Sequence, residues 1–250
     1  MSQVELNNVK KAVEQGKVAN TYLILGNAQS DAIGSALSLV EAILKSPAWG
    51  QEIAQQQLSV ERLKGLANAD IHYYYPVNTT PEFKKSPSSS DFINHWREMV
   101  LNDSRISITD WYKKIGLGNK QGAINKDEAE KISKLAHLKS YEGGVKIFVI
   151  WMAEKMNLTA SNKLLKLLEE PPKKTVFILI SENEKRMLKT ITSRCQKIYI
   201  GGQKADNQNL KSDFESLFVE WVRAAFRVKG KKSAINELIA FSEKLSKKTR

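Results

Sequence analysis

The sequence predicts an α/β fold in which helices flank a parallel β-sheet. Two segments, KIFVIWM at 146–152 and TVFILI at 175–180, are nearly continuous apolar runs. Such runs fit parallel strands that are covered on both faces. A third run, TYLIL at 21–25, leads through Gly26 into a predicted helix at 32–45. This strand–turn–helix order is the context in which phosphate-binding loops occur.

The composition is that of a globular protein with a basic surface. The 250 residues are 42% apolar and 26% charged, and the formal net charge is +12. Such a surplus favours nucleic acid, acidic membranes or acidic protein partners, and it fits a solvated basic surface equally well. No apolar run approaches the length of a membrane span, and the N-terminus has no apolar signal core. We therefore expect a cytoplasmic protein without membrane contact.

In chain order, the pattern predicts a first helix at 9–18, ahead of the first strand. Residues 46–68 are interpreted as a helical connection and 69–75 as a second strand. Residues 79–90 contain two prolines, a lysine pair and four serines. This composition is typical of a mobile surface loop.

Aromatic residues are concentrated after this loop. Asp91 is the predicted N-cap of a helix that carries Trp96, and Trp111 follows in a further short helix. Exposed aromatic side chains beside lysines can stack on single-stranded bases. Core packing is the commoner use of such side chains, and we expect Trp96 and Trp111 in the core.

Two later helices begin at capping residues. Asn125, followed by Glu128, has the spacing of a capping box and begins a helix that extends to Lys139. Asn157 caps the next helix, which ends before Pro171 because a residue that precedes proline is pushed out of helical geometry. The predicted buried side of that helix consists of Leu158, Leu164, Leu165 and Leu168.

Several spaced motifs combine in residues 162–195. A leucine-rich helix ends in EEPP, a buried strand and a short charged helix follow, and SRC at 193–195 precedes a last predicted strand at 197–200. This arrangement closely resembles the clamp-loader branch of the AAA+ proteins, as do DIH at 70–72 and YEGGVK at 141–146. The resemblance implies an AAA+ (P-loop NTPase-like) parallel sheet flanked by helices.

The segment that would bind ATP departs from that family's pattern. Gly26 keeps the first glycine of the phosphate-binding loop, but Asp31, Ala32 and Ile33 stand where a glycine, a lysine and a hydroxyl residue belong. A phosphate cradle needs a glycine-permitted bend, a lysine on the phosphates and a hydroxyl on Mg²⁺. A carboxylate at its mouth repels the triphosphate, so we expect no ATP and no other cofactor in this loop.

A second part of the ATP machinery is also missing. In active relatives the strand at 146–152 would end in Asp-Glu, and those places fall on Trp151 and Met152. Neither side chain can bind a cation or orient a water molecule. Ser181 and Glu182 stand where active relatives sense the γ-phosphate, and without a bound phosphate they have nothing to sense.

The resemblance gives Arg194 a catalytic role in trans. The arginine of the SRC motif points toward ATP bound by a neighbouring subunit, and such arginine fingers increase rates roughly a thousandfold to a hundred-thousandfold. The alternative is a surface ion pair, worth about 0–1 kcal/mol. We expect Cys195 to pack as a small apolar side chain without a redox role.

Lys163 and Lys166 share the exposed side of the leucine-rich helix. In clamp loaders the matching helix lines the chamber that holds primer–template DNA. Contacts from these lysines to backbone phosphates would add affinity without sequence preference. Simple solvation of both lysines is an equally good interpretation of the sequence.

No metal site is predicted. Cys195 is the only cysteine, and the three histidines are scattered without metal-ligand spacing. Many bacterial clamp-loader subunits carry a four-cysteine zinc module after the first helix. This sequence lacks those cysteines, so a zinc site of that kind is excluded.

The predicted organisation is an AAA+ nucleotide-binding-like domain at 1–200 and a small all-helical C-terminal part at 201–250, with helices at 213–228 and 233–247. Clamp-loader subunits usually have a helical lid followed by a helical collar that joins the subunits. About fifty residues are too few for both. The sequence therefore predicts either an incomplete chain or a shortened lid.

Taken together, these features predict a non-hydrolysing subunit of a hetero-oligomeric clamp loader. Its expected partners are gamma/tau-type and delta-type loader subunits, the sliding clamp through the complex, and primer–template DNA. One alternative is a gamma-type loader ATPase with an unorthodox loop. The other is a stand-alone DNA-binding module, which the positive charge and the aromatic residues suggest.

Overall fold

The computed structural model describes residues 2–27, 29–142 and 144–201. In these ranges the strands are β1 (Thr21–Leu25), β2 (Ile71–Tyr74), β3 (Lys146–Trp151), β4 (Thr175–Ser181) and β5 (Gln196–Tyr199). The α-helices are α1 (Ser2–Glu14), α2 (Ala32–Leu44), α3 (Ile53–Lys64), α4 (Ile93–Asn102), α5 (Ile108–Lys114), α6 (Lys126–His137), α7 (Leu158–Glu169) and α8 (Lys189–Thr192). Beyond Gly201, the predicted C-terminal part and its two helices lie outside the described residues.

The described strands form one sheet in the order β2-β3-β4-β1-β5, and each neighbouring pair is parallel. The predicted α/β fold with a parallel sheet is therefore confirmed. Because all strands run in one direction, their carboxyl ends lie along the same edge of the sheet. In α/β folds this edge is the usual ligand-binding edge.

Helices cover both faces of the sheet, which explains the continuous apolar runs. Alternate residues of β3 enter different cores: Ile147 and Val149 pack with α1, α2, α4 and α5 on one face. Phe148 and Ile150 pack with α6, α7 and α8 on the other face. A strand whose two faces are both buried has no polar face, and so it shows no alternation of apolar and polar residues.

The first helix differs from its prediction at both ends. It begins at Ser2 and ends at Glu14, whereas the pattern placed it at 9–18. Gly16 has φ of +81°, and Lys17 N donates to Ala12 O at 2.9 Å. This Schellman-type ending uses a left-handed conformation that glycine adopts without strain. The glycine therefore stops the helix earlier than periodicity alone indicates.

Part of the predicted surface loop at 79–90 is buried. The N-cap of the helical segment that follows is Ser88 rather than Asp91. Ser88 and Ser89 are buried. Ser88 forms a capping box with Asp91, in which Ser88 N donates to Asp91 Oδ2 at 2.7 Å. A short 3₁₀ helix, Ser89–Phe92, therefore precedes α4. The sequence placed the cap three residues too late because serine and aspartate both occupy capping positions.

The two tryptophans expected in the core are there. Trp96 and Trp111 are 1% and 0% exposed. Both rings lie against Tyr75, with centroids 4.5 and 4.7 Å away. Trp111 Nε1 donates to Pro76 O at 2.8 Å, so burial leaves that indole N–H satisfied. Neither side chain is available to stack on a base.

The caps of α6 and α7 are confirmed, but the predicted packing of α7 is partly wrong. Asn125 Oδ1 accepts from Glu128 N at 3.0 Å, and Asn157 Oδ1 accepts from Ala160 N at 2.8 Å. Leu158 is 66% exposed. The buried side of α7 consists of Ala160, Ser161, Leu164, Leu167 and Leu168, and Leu165 is only partly buried. The helix is rotated toward residues 160, 164 and 168, so the first-turn leucine faces away.

Candidate functional site

The turn after β1 lies at the carboxyl edge of the sheet, where a phosphate loop would be. Ser30 closes this turn, since its N and Oγ donate to Asn27 O at 2.9 and 2.7 Å. A Cβ on Gly26 would lie 2.2 Å from Ser30 Oγ. The retained glycine is therefore needed so that the turn can pack on itself.

The N-terminus of α2 already holds a carboxylate. Asp31 is its N-cap, and Oδ1 accepts from Gly34 N at 3.0 Å and from Ser104 Oγ at 2.5 Å. A helix N-terminus attracts anions because its first N–H groups are unpaired and its dipole is positive there. Asp31 satisfies this preference from within the chain and repels a second anion.

Buried side chains leave little open space beside this turn. Ala32 and Ile33 are buried, and Trp151 and Met152 are 3% and 2% exposed. The remaining cavity between the turn and the ends of β3 and β4 has a volume of about 10 Å³. That is about one water-sized sphere. Ligand pockets commonly have about 300–1,000 Å³.

Two further carboxylates follow β3 and β4 at this edge. Glu154 Oε1 accepts from Glu182 N at 3.1 Å, and Glu154 Oε2 is buried without a hydrogen-bond partner among the described residues. The pKa of Glu182 is raised mainly by burial and to a smaller extent by the charge of Glu154. These groups add negative potential beside the filled turn, which disfavours a triphosphate further.

Arg194 lies near the amino ends of the strands, opposite the carboxyl ends where the turn lies. It precedes β5 by two residues, and the register of β5 on β1 runs from Gln196↔Tyr22 to Tyr199↔Leu25. The rise of about 3.3 Å per residue makes this strand about 10 Å long. Arg194 therefore stands before the amino end of β5, whereas the turn at Gly26 follows the carboxyl end of β1.

The guanidinium of Arg194 is held by its own subunit through exposed contacts. Nη1 donates to Thr190 O at 2.8 Å, and Nη2 lies 2.6 Å from Glu169 Oε1. The side chains of Arg194 and Glu169 are 38% and 40% exposed. Exposed ion pairs of this kind contribute about 0–1 kcal/mol. Contact with a neighbouring molecule is therefore open to Arg194 at small cost.

The neighbouring Cys195 is half-buried against the second core. Its Sγ lies 3.1 Å from Ile191 O. Burial raises the pKa of the Cys195 thiol to about 12, ahead of a smaller opposing effect from Lys197. The thiol is therefore neutral at physiological pH, whereas a reactive cysteine needs an accessible thiolate.

Lys163 and Lys166 border one groove between α6 and α7. The groove has a volume of about 480 Å³, and Ser133, His137 and Asn162 also line it. Lys163 Nζ lies 2.7 Å from Glu130 Oε1. Lys166 is exposed. The structure therefore brings the two predicted lysines together, and it adds an acidic partner of Lys163 that spacing along α7 did not indicate.

Comparison with known protein families shows which family the chain belongs to. Residues 1–204 match the family model described as DNA polymerase III, delta subunit. That range includes every described residue. The chain belongs to this family.

Curated relatives match this delta-family chain over parts of their length. DNA polymerase III subunit delta' of Bacillus subtilis is 38% identical over 76 residues, which are 30% of this chain and 23% of the relative. The subunit of the same name from Pseudomonas aeruginosa is 53% identical over 53 residues, which are 21% of this chain and 16% of the relative. The matched segments thus span less than a quarter of either relative.

A solved structure is also similar to the delta-family chain. It is the crystal structure of a DNA polymerase III, gamma subunit-related protein from Thermotoga maritima. The two chains are 18% identical, and the TM-score is 0.45. The similarity covers 97% of this chain and 60% of that chain.

Neither a metal centre nor a membrane span occurs in the part of the chain that the structure describes. Its residues contain no group of three or more His, Cys, Asp or Glu side chains arranged to hold a metal ion. None of its helices combines the length and the apolar character that a bilayer crossing requires.

The contacts from Ser104 to Asp31 and from Glu182 to Glu154 were not indicated by any sequence pattern, because each joins distant parts of the chain.

Proposed function

We propose that this chain is a non-hydrolysing subunit of the DNA polymerase III clamp loader. It assembles with gamma/tau-type and delta-type subunits and supports ATP-dependent loading of the sliding clamp onto primed DNA. The observation that supports the proposal is the difference between the two ends of the strands in one sheet. Side chains fill the nucleotide turn at one end, and an exposed arginine stands near the other end.

The filled turn supports the absence of ATP chemistry in this subunit. Asp31 takes the anion position of α2. Trp151 and Met152 supply no ligand for Mg²⁺. Opening this region for a nucleotide would expose those apolar side chains and unpair the cap. The alternative of a gamma-type ATPase therefore has less support.

Arg194 acts in trans because it stands far from its own turn. An arginine finger contributes roughly a thousandfold to a hundred-thousandfold in rate. This range corresponds to about 4–7 kcal/mol of transition-state stabilisation. The ion pair with Glu169 is worth about 0–1 kcal/mol. Exchange of Glu169 for a neighbour's γ-phosphoryl group is therefore strongly favourable during cleavage.

The decisive experiment is Arg194→Ala in the assembled loader. We expect ATP hydrolysis by the neighbouring subunit to fall roughly a thousandfold or more, since that is the contribution of an arginine finger. Assembly should be unchanged because only an exposed ion pair and one exposed hydrogen bond are removed. Steady-state phosphate release, together with the mass of the complex, measures both.

Arg186→Ala is the matched control, because Arg186 is an exposed arginine in the short 3₁₀ helix ahead of α8. It should leave hydrolysis unchanged. Wild-type turnover in the Arg194→Ala complex, or an equal loss with Arg186→Ala, would contradict the trans role.

A further inference from the structure

Strand β2 is an edge strand with one open side. It pairs only with β3, in the register Ile71↔Ile147 to Tyr74↔Ile150, among the described strands. The ladder begins with Ile147 N donating to Asp70 O at 2.9 Å. In a parallel ladder alternate residues bond to the same neighbour. The backbones of Ile71 and Tyr73 therefore face away from β3.

The chain itself closes both ends of this open edge. Ile71 N donates to Asn68 O at 3.3 Å. At the other end, Ser89 Oγ lies 3.2 Å from both the N and the O of Tyr75. Between these contacts, Ile71 O and both backbone groups of Tyr73 have no hydrogen-bond partner in the described part of the chain. An unpaired edge of this kind is a template for another strand.

A groove of about 570 Å³ runs along this edge. Its apolar lining includes Leu66, Ile93 and Leu135. The Tyr73 side chain also lines the groove and is 7% exposed. Its hydroxyl is buried and has no hydrogen-bond partner in the described residues. The groove thus offers apolar walls and unpaired backbone groups, which together fit a peptide main chain.

The charged rim of the groove is basic. Lys131 and Lys134 on α6 are exposed, and Arg97 on α4 is half-buried, with its Nε donating to Leu66 O at 3.1 Å. The nearby Glu128 is buried and accepts from Ser89 Oγ at 2.7 Å. Asp91 is occupied by the capping box with Ser88. The groove's lining contains three cationic side chains and one carboxylate, that of the buried Glu128, so its net charge favours an acidic ligand.

We propose that β2 receives an extended acidic segment of another protein as an additional strand. The main chain of that segment pairs with Tyr73, its apolar side chains enter the groove, and its carboxylates meet Lys131, Lys134 and Arg97. This is β-strand addition, in which main-chain hydrogen bonds give affinity and alternate side chains give specificity. The chain's own residues 202–250 fit less well, because they carry eleven Lys or Arg against six Asp or Glu.

The test uses the full chain and a short synthetic peptide that alternates valine and glutamate. We expect the labelled peptide to bind in a fluorescence anisotropy titration. We also expect it to slow hydrogen exchange at the Tyr73 amide. A valine–lysine peptide and a backbone N-methylated valine–glutamate peptide should not bind, because the first does not carry the negative charge and the second does not carry the N–H donors.

Charge reversal at the rim separates groove binding from general attraction to a basic protein. Lys131→Glu with Lys134→Glu should weaken peptide binding roughly tenfold or more, because two attractive contacts with carboxylates are replaced by repulsion. Lys11→Glu with Lys17→Glu is the matched control, because both lysines are exposed and lie around the end of α1. It should leave the affinity nearly unchanged.

Three outcomes would overturn the proposal. They are no binding of the acidic peptide, equal weakening by both double variants, and a Tyr73 amide that is already protected in the free chain. The last outcome would mean that residues 202–250 or a second copy of the chain covers the groove. None of these results bears on Arg194, so the proposed clamp-loader function stands or falls separately.

Discussion

Hydrogen bonds of buried charged side chains explain the structural role of the YEGGVK motif. Asp70 accepts from Tyr141 N and Glu142 N, both at 2.7 Å. Lys146 Nζ donates to the carbonyl oxygens of Leu135, Ala136 and Leu138 at the end of α6. Helices end with unpaired carbonyls, and a lysine ammonium satisfies three of them at once. The motif therefore joins α6 to the start of β3.

Lys146→Met tests this role. The variant keeps a long apolar side chain but leaves three carbonyl oxygens without their donor, so we expect the free energy of unfolding to fall by about 1–3 kcal/mol. Urea denaturation followed by circular dichroism measures the change. Lys139→Met is the control, because Lys139 is exposed; it should change stability by no more than about 0.5 kcal/mol. Equal effects from the two variants would contradict the capping role.

At the scale of elements, α7 carries both a core face and a candidate DNA surface. Its limits follow from local chemistry, since Asn157 caps it and Pro171 follows its end. Its Lys163 and Lys166 meet α6 across one groove of about 480 Å³. We propose that these lysines contact primer–template DNA, although Lys163 must then exchange its partner Glu130.

Lys163→Glu with Lys166→Glu should lower the DNA affinity of the assembled loader. The slope of log affinity against log salt should flatten by about 0.9 for each phosphate that the variant no longer neutralises. Anisotropy titrations of a primed duplex at several salt concentrations measure both. Lys84→Glu with Lys85→Glu, an exposed pair elsewhere, is the control. If both double variants bind DNA equally weakly, or both bind it as the wild type does, the DNA is not held at this groove.

At the scale of the whole molecule, the parallel sheet places the turn at Gly26 and Arg194 near opposite ends of its strands. The nucleotide turn follows the carboxyl end of β1, and Arg194 precedes the amino end of β5, which pairs with β1. A subunit with this geometry cannot bring its own arginine to its own turn. This geometry is consistent with the proposed role of Arg194 in trans, in which a neighbouring subunit supplies the pocket.

We expect the isolated chain to show no saturable binding of Mg-ATP. The reasons are the cavity of about 10 Å³ and the carboxylates of Asp31 and Glu182 beside it. Equilibrium titration with a fluorescent ATP analogue measures this. Binding at micromolar affinity would contradict the proposal and favour the gamma-type ATPase.

Local sequence determined much of the fold. The buried strands at 21–25 and 175–180 and the caps Asn125 and Asn157 were predictable, because burial, capping and proline act over a few neighbouring residues. Periodicity placed Leu158 on the wrong side of α7, and it gave no reason to bury Ser88. Those outcomes depend on which distant segment arrives beside each residue.

The sequence alone shows that the side chains typical of a phosphate loop and of a cation site are absent. Side-chain identity can be read without knowledge of the fold. Only the tertiary structure decided that Ile33, Trp151 and Met152 pack around the turn, that Arg194 lies near the opposite ends of the strands, and that β2 keeps an open side. The physical reason is that strand order and direction bring together residues far apart in the chain. No local pattern encodes those distances.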